Sequence, residues 1–323
     1  MRAVVVEQTG GPEAMQVKEI NAPEPGPGQV LVEVVASGVN FIDAYQRSGL
    51  YAKPTPFIAG CEGAGTVSAV GHGVTEVSVG DRVAWAMVDG GGYAEQVVVA
   101  ADRVVPVPEG VAAEDAAAVM LQGMTADYLC RSTYPIRSGQ TALVHAAAGG
   151  LGLLLTQMLV AKGARVIGTT STEAKAQLAR DAGASEVIHY TEEDVVSKVR
   201  RLTNGRGVDV VYDGVGQSTF DASLDCLVPR GMMVLLGASS GPVPPFDPQV
   251  LNKKGSLFLT RPSLVHHMAT REELLERGGS VLEQVADGRL SVRVGGRYGL
   301  DEAGRAHEDL EGRRTTGKLL IVP

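Results

Sequence analysis

Cysteine is scarce in this chain. Its 323 residues hold three, Cys61, Cys130 and Cys226, an odd number with no C-x-x-C pair, which argues against a disulfide framework and against a four-cysteine zinc lobe. A reducing cytoplasm is the compartment that fits this usage. Positive charge is also short: 29 Lys plus Arg stand against 37 Asp plus Glu, a formal charge of −8. A mainly nucleic-acid role is disfavoured, because phosphate backbones need a positive surface field, although one local basic pocket stays open. No apolar run approaches the roughly 18 residues of a membrane span. Met1 is followed by Arg2-Ala3-Val4-Val5-Val6-Glu7, too short for the apolar core of a signal peptide, so a soluble, untargeted protein is expected. There is no internal repeat. What is present is a globular composition, 44% apolar and 20% charged, on a chain about twice the usual length of one domain. The 41 glycines show no fixed period and point to tight turns and places where backbone approaches a ligand.

The first hundred residues are short β-branched runs cut by turn residues, at 2–7, 30–36, 65–70, 82–86 and 93–99. They read as a small all-β lobe. The texture changes at Ala112. An Ala-rich stretch over 112–131 predicts a helix, and Thr141-Ala142-Leu143-Val144-His145-Ala146 predicts a short buried strand before a Gly-rich turn. Strand patterns at 164–169, 186–189, 208–212, 232–236 and 256–260 then alternate with helical ones, the sequence form of βαβ units in a parallel sheet. After Arg261-Pro262 the pattern stops. A helix over 270–286 and a strand over 319–322 are too few for a domain of their own and are assigned back to the first lobe. The expected division is 1–121 with 262–323, and 122–261.

Ala147-Ala148-Gly149-Gly150-Leu151-Gly152 follows the strand and opens a Leu-rich helix. A dinucleotide fold needs such a turn so that N–H groups at a helix N-terminus meet a pyrophosphate, with small residues where helix and strand touch. The first Gly of the usual G-x-G-x-x-G is Ala147 here. NAD-selective sites usually end the second strand with an Asp or Glu that accepts from the ribose 2′-hydroxyl. This chain reads Thr169-Thr170-Ser171-Thr172, with Lys175 following. Hydroxyls and one ammonium are available to a 2′-phosphate and no acid ends the strand, so NADPH is the expected cofactor. Glu173, early in the next helix, is expected to face solvent and complement the helix dipole. The competing reading of Lys175 is an ordinary surface lysine.

These residues resemble the zinc-free quinone oxidoreductases, the zeta-crystallin-like branch of the medium-chain dehydrogenase/reductase superfamily, over nearly the whole chain. The resemblance is carried by Ser37-Gly38-Val39-Asn40-Phe41-Ile42-Asp43, Arg47-Ser48-Gly49-Leu50-Tyr51, the turn at 146–152, Asp213-Gly214-Val215-Gly216, Ser223-Leu224-Asp225-Cys226-Leu227 and Lys254-Gly255-Ser256-Leu257. Thr260-Arg261-Pro262-Ser263-Leu264 and Thr315-Thr316-Gly317 are similar to the bacterial NADPH:quinone reductases in particular. The resemblance implies an α/β fold, a doubly wound Rossmann sheet plus a GroES-like β-rich lobe, with NADPH in the cleft and usually a homodimer. It places Asn40, Phe41, Ile42, Asp43, Tyr45 and Thr125 at the nicotinamide end. Gly149, Gly150 and Leu151 fall at the pyrophosphate, and Ser171, Lys175 and Tyr190 at the 2′-phosphate. Leu236, Gly237, Ala238, Ser239 and Arg261 close over the nicotinamide ribose, and Arg313 reaches a phosphate. Family members usually carry Phe-Gly-Asn where this chain has Leu236-Gly237-Ala238, which leaves backbone contact but no side-chain amide at 238.

Relatives with alcohol dehydrogenase activity use a catalytic Cys-His-Cys zinc set. Asn40 stands at the usual first Cys and Cys61, beside Glu62, at the usual His, so no metal is expected and Cys61 reads as a small buried residue. The six histidines form no ligand-spaced pair, and packing is the better reading of His145. The implied chemistry is hydride transfer from NADPH to a quinone or another conjugated carbonyl, which needs orientation and exclusion of water rather than a nucleophile. Asn40, Tyr45, Tyr51 and Arg261 are the polar groups expected near the acceptor oxygen, with packing over the lobe edge as the equal alternative for Tyr51. Two rival functions stay open: an NADPH-dependent alkenal or enone reductase, and a non-enzymatic NADPH-binding protein of crystallin-like or RNA-associated type. The strand ending Leu257-Phe258-Leu259-Thr260 is a hazardous edge unless a two-fold partner or the C-terminal helix covers it.

Overall fold

The computed structural model describes residues 1–323 and divides into two compact units, Met1–Met124 with His267–Pro323, and Thr125–His266. In chain order the first unit opens with β1 (Arg2–Val6), β2 (Met15–Glu19), β3 (Gln29–Val39), α1 (Phe41–Ser48), β4 (Phe57–Ile58), β5 (Glu62–Val70), β6 (Arg82–Ala86), β7 (Gln96–Ala100) and β8 (Val105–Pro106). Helix α2 (Ala113–Tyr128) carries the chain into the second unit and ends in a π turn, Leu129–Thr133. There follow β9 (Thr141–Val144), α3 (Gly150–Ala161), β10 (Arg165–Thr170), α4 (Glu173–Asp181), β11 (Glu186–His189), α5 (Val195–Leu202), β12 (Val208–Asp213), α6 (Phe220–Cys226), β13 (Leu227–Leu235), α7 (Gln249–Lys253) and β14 (Phe258–Thr260). The chain returns with α8 (Arg271–Ala286), β15 (Val294–Gly299), α9 (Ala303–Glu311) and β16 (Lys318–Val322).

The first unit is β-rich, with a three-stranded sheet β2-β1-β4 and a larger one ordered β15-β16-β3-β5-β6-β8, β7 also pairing with β3. Alternation builds its core. Along β3, Val30, Val32 and Val34 point inward and pack with Val67, Val83, Trp85, Val97 and Val99, each such side chain contributing about 1.5–3 kcal/mol over leaving it exposed. The returning segment is integral to this unit, since β16 pairs antiparallel with β3 in the register Leu319↔Val39, Leu320↔Gly38, Ile321↔Ser37. Tyr93, expected in a strand, lies before β7 instead and is fully buried.

The second unit is one parallel sheet ordered β11-β10-β9-β12-β13-β14. From β9 the chain winds outward on one side to β10 and β11, then crosses to β12 on the other. That reversal beside β9 is where open α/β sheets bind ligands, outside the carboxyl ends of the strands. Every residue of β12 is buried, as a central strand covered on both faces requires.

Candidate active site

In the first unit the residues expected at the nicotinamide end lie on α1, a helix for which the runs of β-branched residues around it gave no signal. Its entry is fixed by the Asn40 backbone N–H, which donates to Asp43 Oδ2 at 2.8 Å, a carboxylate at the third helical position answering an orphan amide. It stops at Gly49, whose φ of 82° is a left-handed cap open to glycine. The chain then turns so that Tyr51 N–H donates to the Tyr45 carbonyl at 3.0 Å. Rings of Phe41 and Tyr45 stand 6.0 Å apart and those of Tyr45 and Tyr51 5.1 Å apart, so the structure brings Phe41, Tyr45 and Tyr51 together.

Asn40, expected near the acceptor oxygen, has its side chain held by groups of the first unit. Its Nδ2 donates to Glu62 Oε1 at 2.7 Å and to the Gly38 carbonyl at 3.3 Å. Its Oδ1 accepts from Lys318 Nζ at 2.7 Å and Gln122 Nε2 at 3.3 Å. Both donors and both lone pairs are used within the first unit, so Asn40 orders its surroundings and has no capacity left to touch an acceptor without breaking a bond. Lys318 also pairs directly with Glu62 Oε1, while Glu62 Oε2 accepts from the Leu121 N–H at 2.7 Å. Sequence reasoning missed Lys318 and Gln122. The only signal was a lysine heading an apolar strand.

Asp43 is buried beneath these groups, and burial pushes its pKa up to about 6 against the opposing effect of the Cys61 thiol, the Asn40 N–H and Lys318. Tyr93 OH donates to Asp43 Oδ2 at 3.3 Å and lies 3.2 Å from His307 Nε2. Arg47 meets His307 Nδ1 at 3.3 Å and grips Glu311 with two nitrogens at 3.0 Å. Because Arg47 can only donate, His307 Nδ1 is the acceptor and Nε2 carries the proton toward Tyr93. Burial, then Arg47, hold the His307 pKa down to about 3. This chain ties α1 to α9. Arg313 follows α9, exposed and at a φ of 56°.

In the second unit the turn after β9 behaves as a dinucleotide loop should. Ala147 N–H donates to the Thr169 carbonyl at 3.1 Å and Gly149 N–H to Ala146 at 2.9 Å, and Gly149 caps α3 in an extended conformation. A Cβ on Gly152 would lie 2.4 Å from the Ala146 carbonyl, so only glycine lets helix and turn approach this closely. The first-turn N–H groups of α3, including those of Gly150 and Leu151, have no carbonyl ahead of them and form the natural seat of a pyrophosphate.

The end of β10 meets the end of β11, with Tyr190 N–H donating to the Thr170 carbonyl at 3.2 Å and Thr191 Oγ1 to the Ser171 carbonyl at 3.4 Å. Thr172 Oγ1 caps α4 by accepting from Lys175 N–H at 3.4 Å. Glu173 faces solvent as expected, its side chain 68% exposed. It pairs with Arg180 and with His189 Nε2 at 3.1 Å, and the Arg180 hydrogen bond holds its carboxyl below the usual range. Across the sheet, Leu236 N–H donates to Asp213 at 2.8 Å and Ser239 N–H to Gly214 at 3.2 Å. Arg261 donates to the Leu235 and Gly237 carbonyls at 3.3 Å. Thus Leu236, Gly237, Ala238 and Ser239 form one loop with Arg261 beside it. Thr125 is buried at the start of this unit.

The residues around Asn40 do not fit a zinc ion. Asn40 and Glu62 already hold an ammonium, which occupies the electrostatic place a cation would take. Burial, then Asp43 and Glu62, push the Cys61 thiol far above its ordinary pKa, the reverse of a metal-binding thiolate.

Two family models match the chain, "Alcohol dehydrogenase GroES-like domain" over residues 26–109 and "Zinc-binding dehydrogenase" over 150–276. A quinone oxidoreductase from Pseudomonas aeruginosa is 46% identical over 315 residues, 97% of each chain. The crystal structure of Escherichia coli quinone oxidoreductase complexed with NADPH aligns over 100% of both chains with a TM-score of 0.98 and 45% identity. A 2-haloacrylate reductase from Burkholderia sp is 40% identical over 99% of this chain and 98% of its own. With a parallel sheet in the 3-2-1-4-5-6 order, a Gly-rich turn at its switch point and relatives of this identity along the whole length, the chain belongs to the quinone oxidoreductase family of the medium-chain dehydrogenases/reductases.

Proposed function

We propose that this protein is an NADPH:quinone oxidoreductase that works without zinc. The observation that carries the reading is the end of β10, where Thr169, Thr170, Ser171 and Thr172 offer hydroxyls, Lys175 follows on the first turn of α4 and no acid stands on the strand, while Glu173 at the start of α4 is engaged by Arg180 and His189. Membership in a family whose E. coli structure holds NADPH supports it. When bound, NADPH supplies a hydride from its nicotinamide. The first-turn amides of α3 hold the pyrophosphate, and the 236–239 loop with Arg261 holds the nicotinamide ribose. Phe41, Tyr45 and Tyr51, their rings tilted against one another, give the aromatic wall that orients an acceptor ring and excludes water, with the Tyr45 and Tyr51 hydroxyls as polar groups toward the acceptor oxygen. Asn40 acts behind them by fixing the start of α1. A steady-state screen of NADPH oxidation tests the reading: turnover with quinones supports it, and no oxidation with any acceptor refutes it. The 2-haloacrylate reductase among the relatives favours one second reading, reduction of a conjugated carbon–carbon double bond. An enone or haloacrylate in the same screen separates the two.

Zinc independence has its own test. Dialysis against a chelator is expected to leave activity intact and elemental analysis to find no stoichiometric zinc. Activity lost on chelation and restored by zinc overturns that part of the proposal.

The protein acts as a homodimer in this reading. β14 is the last strand of its sheet, bonded only to β13, and Phe258 on it is 58% exposed. Helix α8 packs on β8 in the first unit. A two-fold mate pairing at this edge continues the sheet and covers Phe258. Light scattering at micromolar concentration is expected to give about twice 33.7 kDa, and Leu259→Lys to shift the protein toward monomer or aggregate. A wild-type monomer overturns the dimer, and a dimer indifferent to the substitution moves its interface elsewhere. No helix is long and apolar enough to cross a membrane.

A further inference from the structure

His145 directly follows β9, the first strand of the Rossmann sheet, at the approach to the Gly-rich turn, and is buried at 7% exposure. It is not an inert packing residue. Its Nδ1 lies 3.1 Å from Thr169 Oγ1 and its Nε2 3.0 Å from Ser223 Oγ. Ser223 Oγ in turn donates to Asp213 Oδ2 at 2.7 Å. The other oxygen of Asp213 accepts from the Val215 N–H at 2.8 Å, the Gly216 N–H at 3.0 Å and Thr219 Oγ1 at 2.9 Å.

The proton positions follow from capacity alone. Asp213 as a carboxylate can only accept, so the single Ser223 proton points at it. Ser223 Oγ must then accept from His145, which puts the imidazole proton on Nε2. His145 Nδ1 is left as an acceptor for the Thr169 hydroxyl. Burial holds the His145 pKa below the ordinary value despite the opposing pull of Asp213, so the ring stays neutral and the order Thr169→His145→Ser223→Asp213 is fixed. A hydrolytic triad is excluded by the same order, because the serine sits between the base and the acid and gives its proton to the acid.

The chain of bonds runs across the carboxyl ends of β10, β9, α6 and β12. It joins Thr169, just before the Ser171–Lys175 corner, to the residue preceding the Gly-rich turn and to the turn at 213–216. That last turn carries the 236–239 loop through Gly214 and Asp213. These are the separate pieces that the proposed function assigns to the 2′-phosphate, the pyrophosphate and the nicotinamide ribose. Nothing in the hydride transfer itself uses His145 or Ser223.

We propose that His145 is a positioning residue: held between Thr169 and Ser223 as the Nε2–H tautomer, it sets the spacing between the Gly-rich turn and the 213–216 turn, and so the fit of a dinucleotide along the sheet ends. This rests on the assignment of NADPH to this unit. Two measurements test it. Long-range 1H–15N spectra of the cofactor-free protein are expected to show His145 as the Nε2–H tautomer. In Asp213→Asn the tautomer is expected to invert to Nδ1–H. The three donors at Oδ1 keep the new carbonyl oxygen in place, so the amide nitrogen faces Ser223, turning its proton toward His145 and that of His145 toward Thr169. An Nδ1–H wild type, or an unchanged tautomer in D213N, overturns the relay.

Fluorescence titration reads the consequence. Ser223→Ala is expected to weaken NADPH and NADH alike, by about tenfold for the loss of its two buried bonds, to His145 and to Asp213, with kcat at saturating cofactor within about twofold of wild type. D213N, which keeps every bond and reverses only the three that join the side-chain nitrogen at position 213, Ser223, His145 and Thr169, is expected to lose less than S223A. Wild-type binding that S223A leaves unchanged overturns the positioning role alone. A wild type that binds neither cofactor sinks the NADPH assignment, and the role of His145 with it.

Discussion

Lys318→Met is expected to lower the unfolding free energy of the first unit by about 3–5 kcal/mol, because it leaves a fully buried carboxylate without its partner. Lys318 is 2% exposed and Glu62 fully buried, and Asn40 spends its amide oxygen on the same ammonium. In the native pair the cost of burying two charges is offset by their attraction and by the Asn40 and Leu121 bonds. Removing one partner leaves the whole cost of the other. The pair itself need not be stabilising, and the double variant E62Q/K318M separates these statements. It buries no charge, and the Gln carbonyl can still accept from Leu121 while its amide donates to Asn40 once the Asn40 amide, released by the loss of Lys318, turns its oxygen toward it. Urea unfolding at pH 7 should therefore show K318M far below wild type and the double variant recovering most of the loss. A K318M protein within about 1 kcal/mol of wild type would show that water reaches Glu62. Because Asn40 caps α1, K318M is also expected to weaken acceptor binding, through displaced Phe41 and Tyr45.

The second unit was more legible than the first, for a physical reason. Parallel strands buried on both faces read as short apolar runs, and βαβ units alternate two periodicities that differ plainly. The strand 186–189 and the start of β12 at Val208 fall where their patterns end. The chain's own turn chemistry marked the Gly-rich loop. In the first unit, α1 stayed hidden because its eight residues are nearly all spent on contacts, with Asp43, Ala44 and Arg47 buried at helical spacing but polar in two of three places. A pattern of apolar residues cannot show a helix whose inner face is a carboxylate and a guanidinium. Strands β2 and β15 were missed as well. β2 is only partly buried, and β15, Val294–Gly299, alternates in burial but carries Gly at three of its six positions, so neither shows an apolar period.

Side-chain roles were legible where the backbone dictates them and hidden where they depend on long-range partners. Lys318 lies 256 residues from Glu62 in sequence, and Ser223 lies 78 from His145. Spacing along the chain says nothing of such pairs. Asn40 shows the limit from the other side: its position was noted correctly, yet its direction depends on Lys318 and Gln122, which converge on its oxygen.

Lys175→Ala is expected to cost about 1.5–3 kcal/mol in NADPH affinity, a roughly 10- to 150-fold loss, while leaving NADH nearly unaffected. The two cofactors differ only in the 2′-phosphate, so a residue that contacts this group must discriminate between them. Lys175 lies on the first turn of α4, whose start is pinned by Thr172, so the lysine stem projects from a fixed base. A neighbouring acid, Glu173, is ionised and pairs with Arg180, with His189 Nε2 at 3.1 Å. Freeing it, with Arg180→Ala, should therefore weaken NADPH in the same sense as K175A but by less, because the carboxylate then repels the phosphate from a neighbouring position without removing its ligand. The pattern differs in kind from that expected of Ser223→Ala, which disturbs the loops that every dinucleotide shares. Titrating each variant with both cofactors at one ionic strength keeps screening constant. Equal losses for NADPH and NADH in K175A would remove Lys175 from the phosphate and leave Ser171 and Tyr190 to hold it.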